Sequence, residues 1–166
     1  YIGLRIMIKT LLYIALSTFL ITGCTSTPPQ KASDIGILGL LICQKNEICP
    51  IVTVAWNESN KTILKVKMSL NSSYKKYEIN KVVFTNGKTS HSFNVDGPTE
   101  IDFVFGSYRS RNSIMLPVKL MADFTESKEV SMNIYTDQGV ISRYILKDEI
   151  KAPVFEELNK VYKSSI

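Results

Sequence analysis

The side chains able to do covalent or metal chemistry are few: Cys24, Cys43 and Cys49, the single histidine His91, and Ser73, which stands three residues before Lys76. Cys43 and Cys49 bracket Gln44-Lys45-Asn46-Glu47-Ile48, and such an even pair in an exported protein points to a disulfide closing a small loop. As zinc ligands the two would lack the second pair that the metal requires, and His91 is far along the chain. Neither a metal nor a cofactor is expected. Ser73-Tyr74-Lys75-Lys76 has the S-x-x-K spacing of penicillin-binding enzymes, yet S-D-N and K-T-G are missing and Ser72 repeats the spacing with Lys75. A solvated turn with two lysines explains it better. Asp148-Glu149 and Glu156-Glu157 are adjacent in sequence, so in a helix they do not face each other across a substrate. Hydrolases need a base beside a nucleophile or a metal, and this chain is read as having no catalytic residue.

Recognition asks for less than catalysis. Tyr108-Arg109-Ser110-Arg111-Asn112 combines an aromatic with two arginines, side-chain types enriched where proteins bind proteins. Gly106 to Asn112 reads as an exposed loop, and Tyr108, Arg109 and Arg111 are the candidate partner-binding residues. Lys65, Lys67, Lys75 and Lys76 suggest a second, basic patch on a wet sheet face, suited to anionic headgroups or peptidoglycan. Lysines also guard exposed strands against pairing.

Cys24 belongs to another pattern. Met7-Ile8-Lys9-Thr10 supplies a short basic start and Leu11 to Ile21 an apolar stretch of signal-peptide proportions. That stretch is shorter than the ~20 apolar residues that cross a bilayer. It ends in Leu20-Ile21-Thr22-Gly23-Cys24, which resembles the lipobox of bacterial lipoproteins. The resemblance covers biogenesis alone. It implies that residues 1-23 are a signal peptide, that cleavage precedes Cys24, and that Cys24 receives lipid; translation is expected to begin at Met7. Lipoproteins of this type carry three acyl chains, where one would bind a membrane only marginally. Thr25 after the acylated cysteine, in place of the aspartate that retains such proteins at the inner membrane, implies the outer membrane facing the periplasm.

Loss of residues 1-23 removes Arg5 and Lys9, leaving eighteen basic residues against fifteen acidic, a net charge of +3. That mild excess forms no concentrated stripe, and a nucleic-acid partner is not expected. Thr25 to Ser33 is polar, proline-bearing and aperiodic, so 24-33 is read as a lipidated linker reaching at most about 30 Å at ~3.3 Å per residue. Residues 34-166 are read as one globular domain.

Within that domain the apolar run Ile35 to Ile42 suits a buried strand or a short buried helix. Strands are expected at Ile51 to Trp56, at Leu64 to Leu70 with lysines on the wet face, and at Tyr77 to Thr85. Asn86-Gly87 is read as a type I′ turn leading to a partner strand at Thr89 to Val95. After Asp96-Gly97-Pro98 comes a strand at Ile101 to Phe105, read as the next antiparallel neighbour. Leu116, Leu120 and Phe124 are four apart behind Pro117 and predict a short helix, and Glu129 to Thr136 with Val140 to Lys147 a hairpin. Pro153, early glutamates and late lysines mark a C-terminal helix with Val154, Phe155, Leu158, Val161 and Tyr162 on its apolar face. The fold class is therefore mainly β (α+β): an antiparallel β-sandwich or curved sheet with a short helix and a C-terminal helix.

Three functions fit this pattern. The first is a membrane-anchored envelope lipoprotein acting as a non-catalytic binding or assembly component with a protein partner. The second is an inhibitor or exclusion lipoprotein blocking an incoming enzyme, phage or plasmid. The third is an envelope hydrolase.

Overall fold

Leu64, Val66, Met68 and Leu70 are buried while Lys65, Lys67 and Ser69 between them keep contact with water, and this alternation builds the long strand at the centre of one sheet. The computed structural model describes residues 34–57 and 60–165; the expected signal peptide, Cys24 and the linker lie outside the described residues. Among the described residues there are ten strands: β1 (Asp34–Leu40), β2 (Ile51–Asn57), β3 (Asn60–Ser72), β4 (Ile79–Thr85), β5 (Ser90–Asn94), β6 (Glu100–Val104), β7 (Ser107–Pro117), β8 (Glu129–Thr136), β9 (Gly139–Lys147) and β10 (Ile150–Lys151). They form two antiparallel five-stranded sheets, sheet A in the order β1-β2-β3-β7-β6 and sheet B in the order β10-β9-β8-β4-β5. A 3-10 turn at Val118–Leu120 leads into the short helix α1 (Met121–Thr125), and α2 (Pro153–Ser165) ends the chain. The protein is mainly β with the short and the C-terminal helix that the sequence predicts, and of the two expected architectures, sandwich or curved sheet, it adopts the two-sheet sandwich.

The core lies between the sheets. Sheet A contributes Val52, Val54, Leu64, Val66, Met68, Ile114 and Leu116, and sheet B contributes Val82, Phe84, Val130, Met132, Ile134 and Ile145. Helix α2 adds Val154, Phe155, Leu158 and Val161 and lies against β1, β2 and β9. Its apolar face thus closes the sandwich.

Where the chain crosses from one sheet to the other, side chains satisfy the backbone. The buried Ser110 hydroxyl accepts the Tyr77 N–H at 2.9 Å, and the Thr99 hydroxyl accepts the Ile79 N–H at 2.8 Å. The Glu78 carboxylate in turn accepts the Thr99 N–H at 3.1 Å. The crossings at 77–79 and 97–99 therefore hold each other.

Several local expectations are corrected. β5 and β6 are not neighbours: β5 ends in sheet B, and the chain returns through Asp96-Gly97-Pro98 to sheet A, where β6 pairs only with β7. The Asn86-Gly87 dipeptide does not make a two-residue type I′ turn, because Gly87 has a positive φ and Asn86 does not. Instead the Asn86 carboxamide oxygen accepts the N–H groups of Lys88 and Thr89, shaping a four-residue loop between Thr85 and Ser90. Leu116 belongs to β7 and not to the helix, which begins only after the 3-10 turn. The segment from Gly106 to Asn112 is not a loop; Ser107 onward is strand.

Cys43 and Cys49 form the expected disulfide, with Cα atoms 5.8 Å apart. The loop it closes is pinned to sheet B by Arg143, whose Nε donates to the Ile48 carbonyl at 3.0 Å and lies 3.5 Å from the Glu47 carboxylate. Beside it the Ile42 N–H donates to the Tyr144 carbonyl at 2.9 Å. The apolar run at 35–42 therefore ends in a seam between an edge strand of sheet A and β9.

Candidate functional site

Strand β7 carries all three candidate binding residues, and the pleat separates them. Successive side chains of a strand point to opposite faces. Ser110 faces the core with Tyr108, while Arg109 and Arg111 point to the outer face of sheet A. The tyrosine and the arginines therefore form two surfaces back to back.

The turn that makes this hairpin is Phe105-Gly106. Both residues have positive φ, 50° and 79°, which is type I′ geometry between Val104 and Ser107. Register then pairs Phe103 with Tyr108, Asp102 with Arg109 and Glu100 with Arg111. Phe103 and Tyr108 meet with ring centroids 5.0 Å apart, and the Lys76 ammonium lies 4.9 Å over the Tyr108 ring.

On the outer face the charges are largely spent on one another. Arg109 grips Asp102 with two of its three guanidinium nitrogens, Nε at 3.0 Å and Nη2 at 2.6 Å. Arg111 Nη2 lies 3.4 Å from both Asp102 and Glu100. The Arg109 hydrogen bond holds the Asp102 carboxyl below the usual carboxylate range, against the opposing effect of desolvation, and the same bond raises Arg109. Beside this ladder a hollow of about 280 Å³ is bounded by Lys65, Lys67, Asp96, Glu100 and Arg111. Lys65 pairs with Asp96 at 3.1 Å, and Arg111 Nε is buried with no hydrogen-bond partner among the described residues. The four lysines do not make one patch: Lys65 and Lys67 lie on the outer face of β3, whereas Lys76 reaches Tyr108 on the other side.

The inner side of the hairpin is different. Ile101 and Phe103 share the face of Tyr108, yet Ile101 is 41% exposed, Phe103 62% and Phe105 at the tip 103%. Strand β6 overhangs, so the side that the second sheet would cover stands in water. Sequence reasoning missed Ile101, Phe103 and Phe105; the available signal was the apolar alternation that continues into Phe105-Gly106.

No known protein family, curated protein or solved structure matches this chain.

His91 lies in β5, opposite Phe84 in the register of β4. Its Nε2 is 3.1 Å from the Asp123 carboxylate of α1, and its ring stands edge-on to Phe124 at 6.1 Å. Among the described residues its ring has no hydrogen bond to a serine, threonine or cysteine. Ser73 is exposed in the turn after β3, where the Ser72 hydroxyl accepts the N–H groups of Tyr74 and Lys75. These residues hold a turn, and His91 and Ser73 are not brought together.

Proposed function

We propose that this chain is a lipid-anchored protein of the bacterial envelope, acylated on Cys24 at the outer membrane facing the periplasm, and that it acts by contact with a protein partner and not by catalysis. The anchor rests on the lipobox-like run Leu20 to Cys24. The contact reading rests on one observation, the uncovered apolar side of the β6–β7 hairpin, where Ile101, Phe103 and Phe105 are exposed beside Tyr108 and Lys76. Aromatic anchors of this kind carry much of the affinity in protein interfaces. An exposed apolar cluster rimmed by polar groups is also a common mark of an interaction site.

Metabolic labelling with a fatty acid tests the anchor. Label on the unsubstituted chain and none on Cys24→Ala is the expected result, and a labelled, membrane-retained Cys24→Ala protein defeats it. For the contact, the phenotype of a deletion strain should be restored by His91→Ala and Ser73→Ala and not by Phe103→Ser. Restoration by Phe103→Ser with failure of either of the others reverses the reading.

A further inference from the structure

Resting on that contact reading, we infer that β6 is an acceptor edge: it takes an extended strand of a partner protein into sheet A, with apolar residues seated on Ile101 and Phe103 and neutral or cationic residues between them. β6 is the last strand of sheet A, and among the described residues nothing pairs with its outer side. In a hairpin closed by a two-residue turn the flanking pair Val104 and Ser107 exchanges hydrogen bonds, and so do Asp102 with Arg109 and Glu100 with Arg111. Ile101 and Phe103 therefore turn their own N–H and C=O groups away from β7, towards the open side. The edge of β7 beyond Glu100 is already closed, because Asp96 N–H donates to the Ser113 carbonyl at 2.8 Å.

Proteins ordinarily blunt such an edge with lysine, proline, a bulge or extreme shortness. β6 has the sequence Glu-Ile-Asp-Phe-Val, without lysine or proline, and pairs with β7 without a register shift. The edges of sheet B contrast with it. β5 exposes Ser90, Ser92 and Asn94, and β10 has two residues, one of them lysine. The hairpin tip adds a second, independent observation. Phe105 adopts a φ of 50° that bulky side chains rarely enter, and its ring is wholly in solvent. The type I′ turn demands that backbone, but asparagine or glycine would meet the demand with less strain, and among the described residues no contact of the exposed ring accounts for a phenylalanine there.

The charges choose between a second copy and a different protein. Two copies joined through all five residues of β6 about a twofold axis would set Asp102 against its own counterpart, and like charges directly opposite destabilise a strand pair. Centring on Ile101 instead brings Glu100 opposite Asp102, and centring on Phe103 leaves three residues to pair. A foreign strand with lysine, arginine or threonine opposite Asp102 meets no such conflict. Position favours a partner over the anchoring membrane. Asp34 lies across the sheet from Asn57 and Asn60, at one end, whereas Phe103 and Tyr108 align with Ser72 at the other. Those rows are about 40 Å apart at ~3.3 Å per residue, so the hairpin is at the opposite end of sheet A from Asp34, and that separation exceeds the ~30 Å that residues 25–33 can span.

The test places a photo-crosslinking benzoylphenylalanine at position 103 of the full chain in its own envelope. One cross-linked polypeptide is expected, attached through an extended segment with apolar residues at alternate positions. A synthetic peptide of that segment, at saturation, should slow amide hydrogen exchange at Ile101 and Phe103 at least tenfold while leaving Asp102 unchanged. Ile101→Pro removes the outward N–H together with the side chain, without breaking a hydrogen bond to β7, and should abolish peptide binding, whereas Ile101→Ala removes the side chain but keeps that N–H and should retain binding with weaker affinity. If Ile101→Pro does not fold, Phe103→Lys carries the same expectation with every backbone group in place. Cross-links to lipid alone, to a second copy alone, or to nothing overturn both this inference and the contact reading behind it. A peptide that binds without slowing exchange at Ile101 and Phe103 overturns strand addition and leaves the contact reading standing.

Discussion

Arg109 holds both oxygens of Asp102 across the β6–β7 hairpin, with its Nη2 only 2.6 Å from Oδ2. The pair is about one-third exposed, and its main effect is to keep Asp102 ionised and the strand register fixed. A carboxylate with a depressed folded-state pKa contributes stability that is present above its unfolded pKa and is lost as pH falls through the folded one. Denaturant midpoints should therefore stay level down to the usual carboxylate range and fall below it. Asp102→Asn should be less stable at neutral pH and show a shallower acid limb. An unchanged acid limb would exclude this pair as a contributor.

Asp137 makes the same prediction at another crossing. Its Oδ1 accepts the Glu78 N–H at 2.8 Å, and this hydrogen bond is the leading cause of its lowered pKa. Asp137→Asn should also flatten the acid limb, additively with Asp102→Asn because the two sites share no partner. Strong non-additivity in the double variant would refute their independence.

Phe105→Asn should raise stability by about 1 kcal/mol, since asparagine tolerates the left-handed backbone that phenylalanine resists. The same change should weaken partner capture. Denaturation curves read the first effect, and cross-linking yield from position 103 reads the second. A destabilised Phe105→Asn protein would show that the ring supports the fold.

Loss of the Cys43–Cys49 bridge should cost about 2 kcal/mol by loop entropy without unfolding the domain. The double variant Cys43→Ser, Cys49→Ser, followed by denaturation, measures it. Two free thiols in the native protein by mass spectrometry would contradict the pairing itself.

Phe84→Ala should be far worse, costing about 3–5 kcal/mol as a cavity in the core. Phe84 sits between Phe93 and Phe124, with centroids 6.1 and 6.0 Å away. A cost under about 1 kcal/mol would mean that the core collapses around the missing ring.

Much of the fold is legible in local patterns because those patterns have local causes. The alternation from Leu64 to Leu70 needs only a sheet with one wet face, and Pro153 with the Val154, Phe155, Leu158 and Val161 stripe needs only a helix on an apolar surface. The hairpin was hidden because Tyr108, Arg109, Ser110 and Arg111 look like loop residues, while their polarity answers specific needs: Ser110 caps the Tyr77 N–H, and the arginines answer Asp102 and Glu100 across β6. Asn86-Gly87 has the sequence of a tight turn, yet the Asn86 side chain bonds Lys88 and Thr89 and lengthens it. Phe105-Gly106, with the weaker sequence, adopts the tight turn instead. The switch of sheet between β5 and β6 has no local signature, since a turn does not record which sheet receives the next strand.

The opposite placement of Asp34 and the hairpin along sheet A has a mechanical meaning. A pull between the N-terminal end of β1 and the far end of β6 and β7 runs parallel to the strands, so the ladder between β1 and β2, from Asp34 with Asn57 to Leu40 with Ile51, is loaded in shear and its hydrogen bonds resist together. If β1 slips, the bridge from Cys43 to Cys49 bypasses the intervening loop and passes the load directly to the start of β2. The small loop then acts as a stop that limits how far the domain can be drawn out before its central strands bear the force.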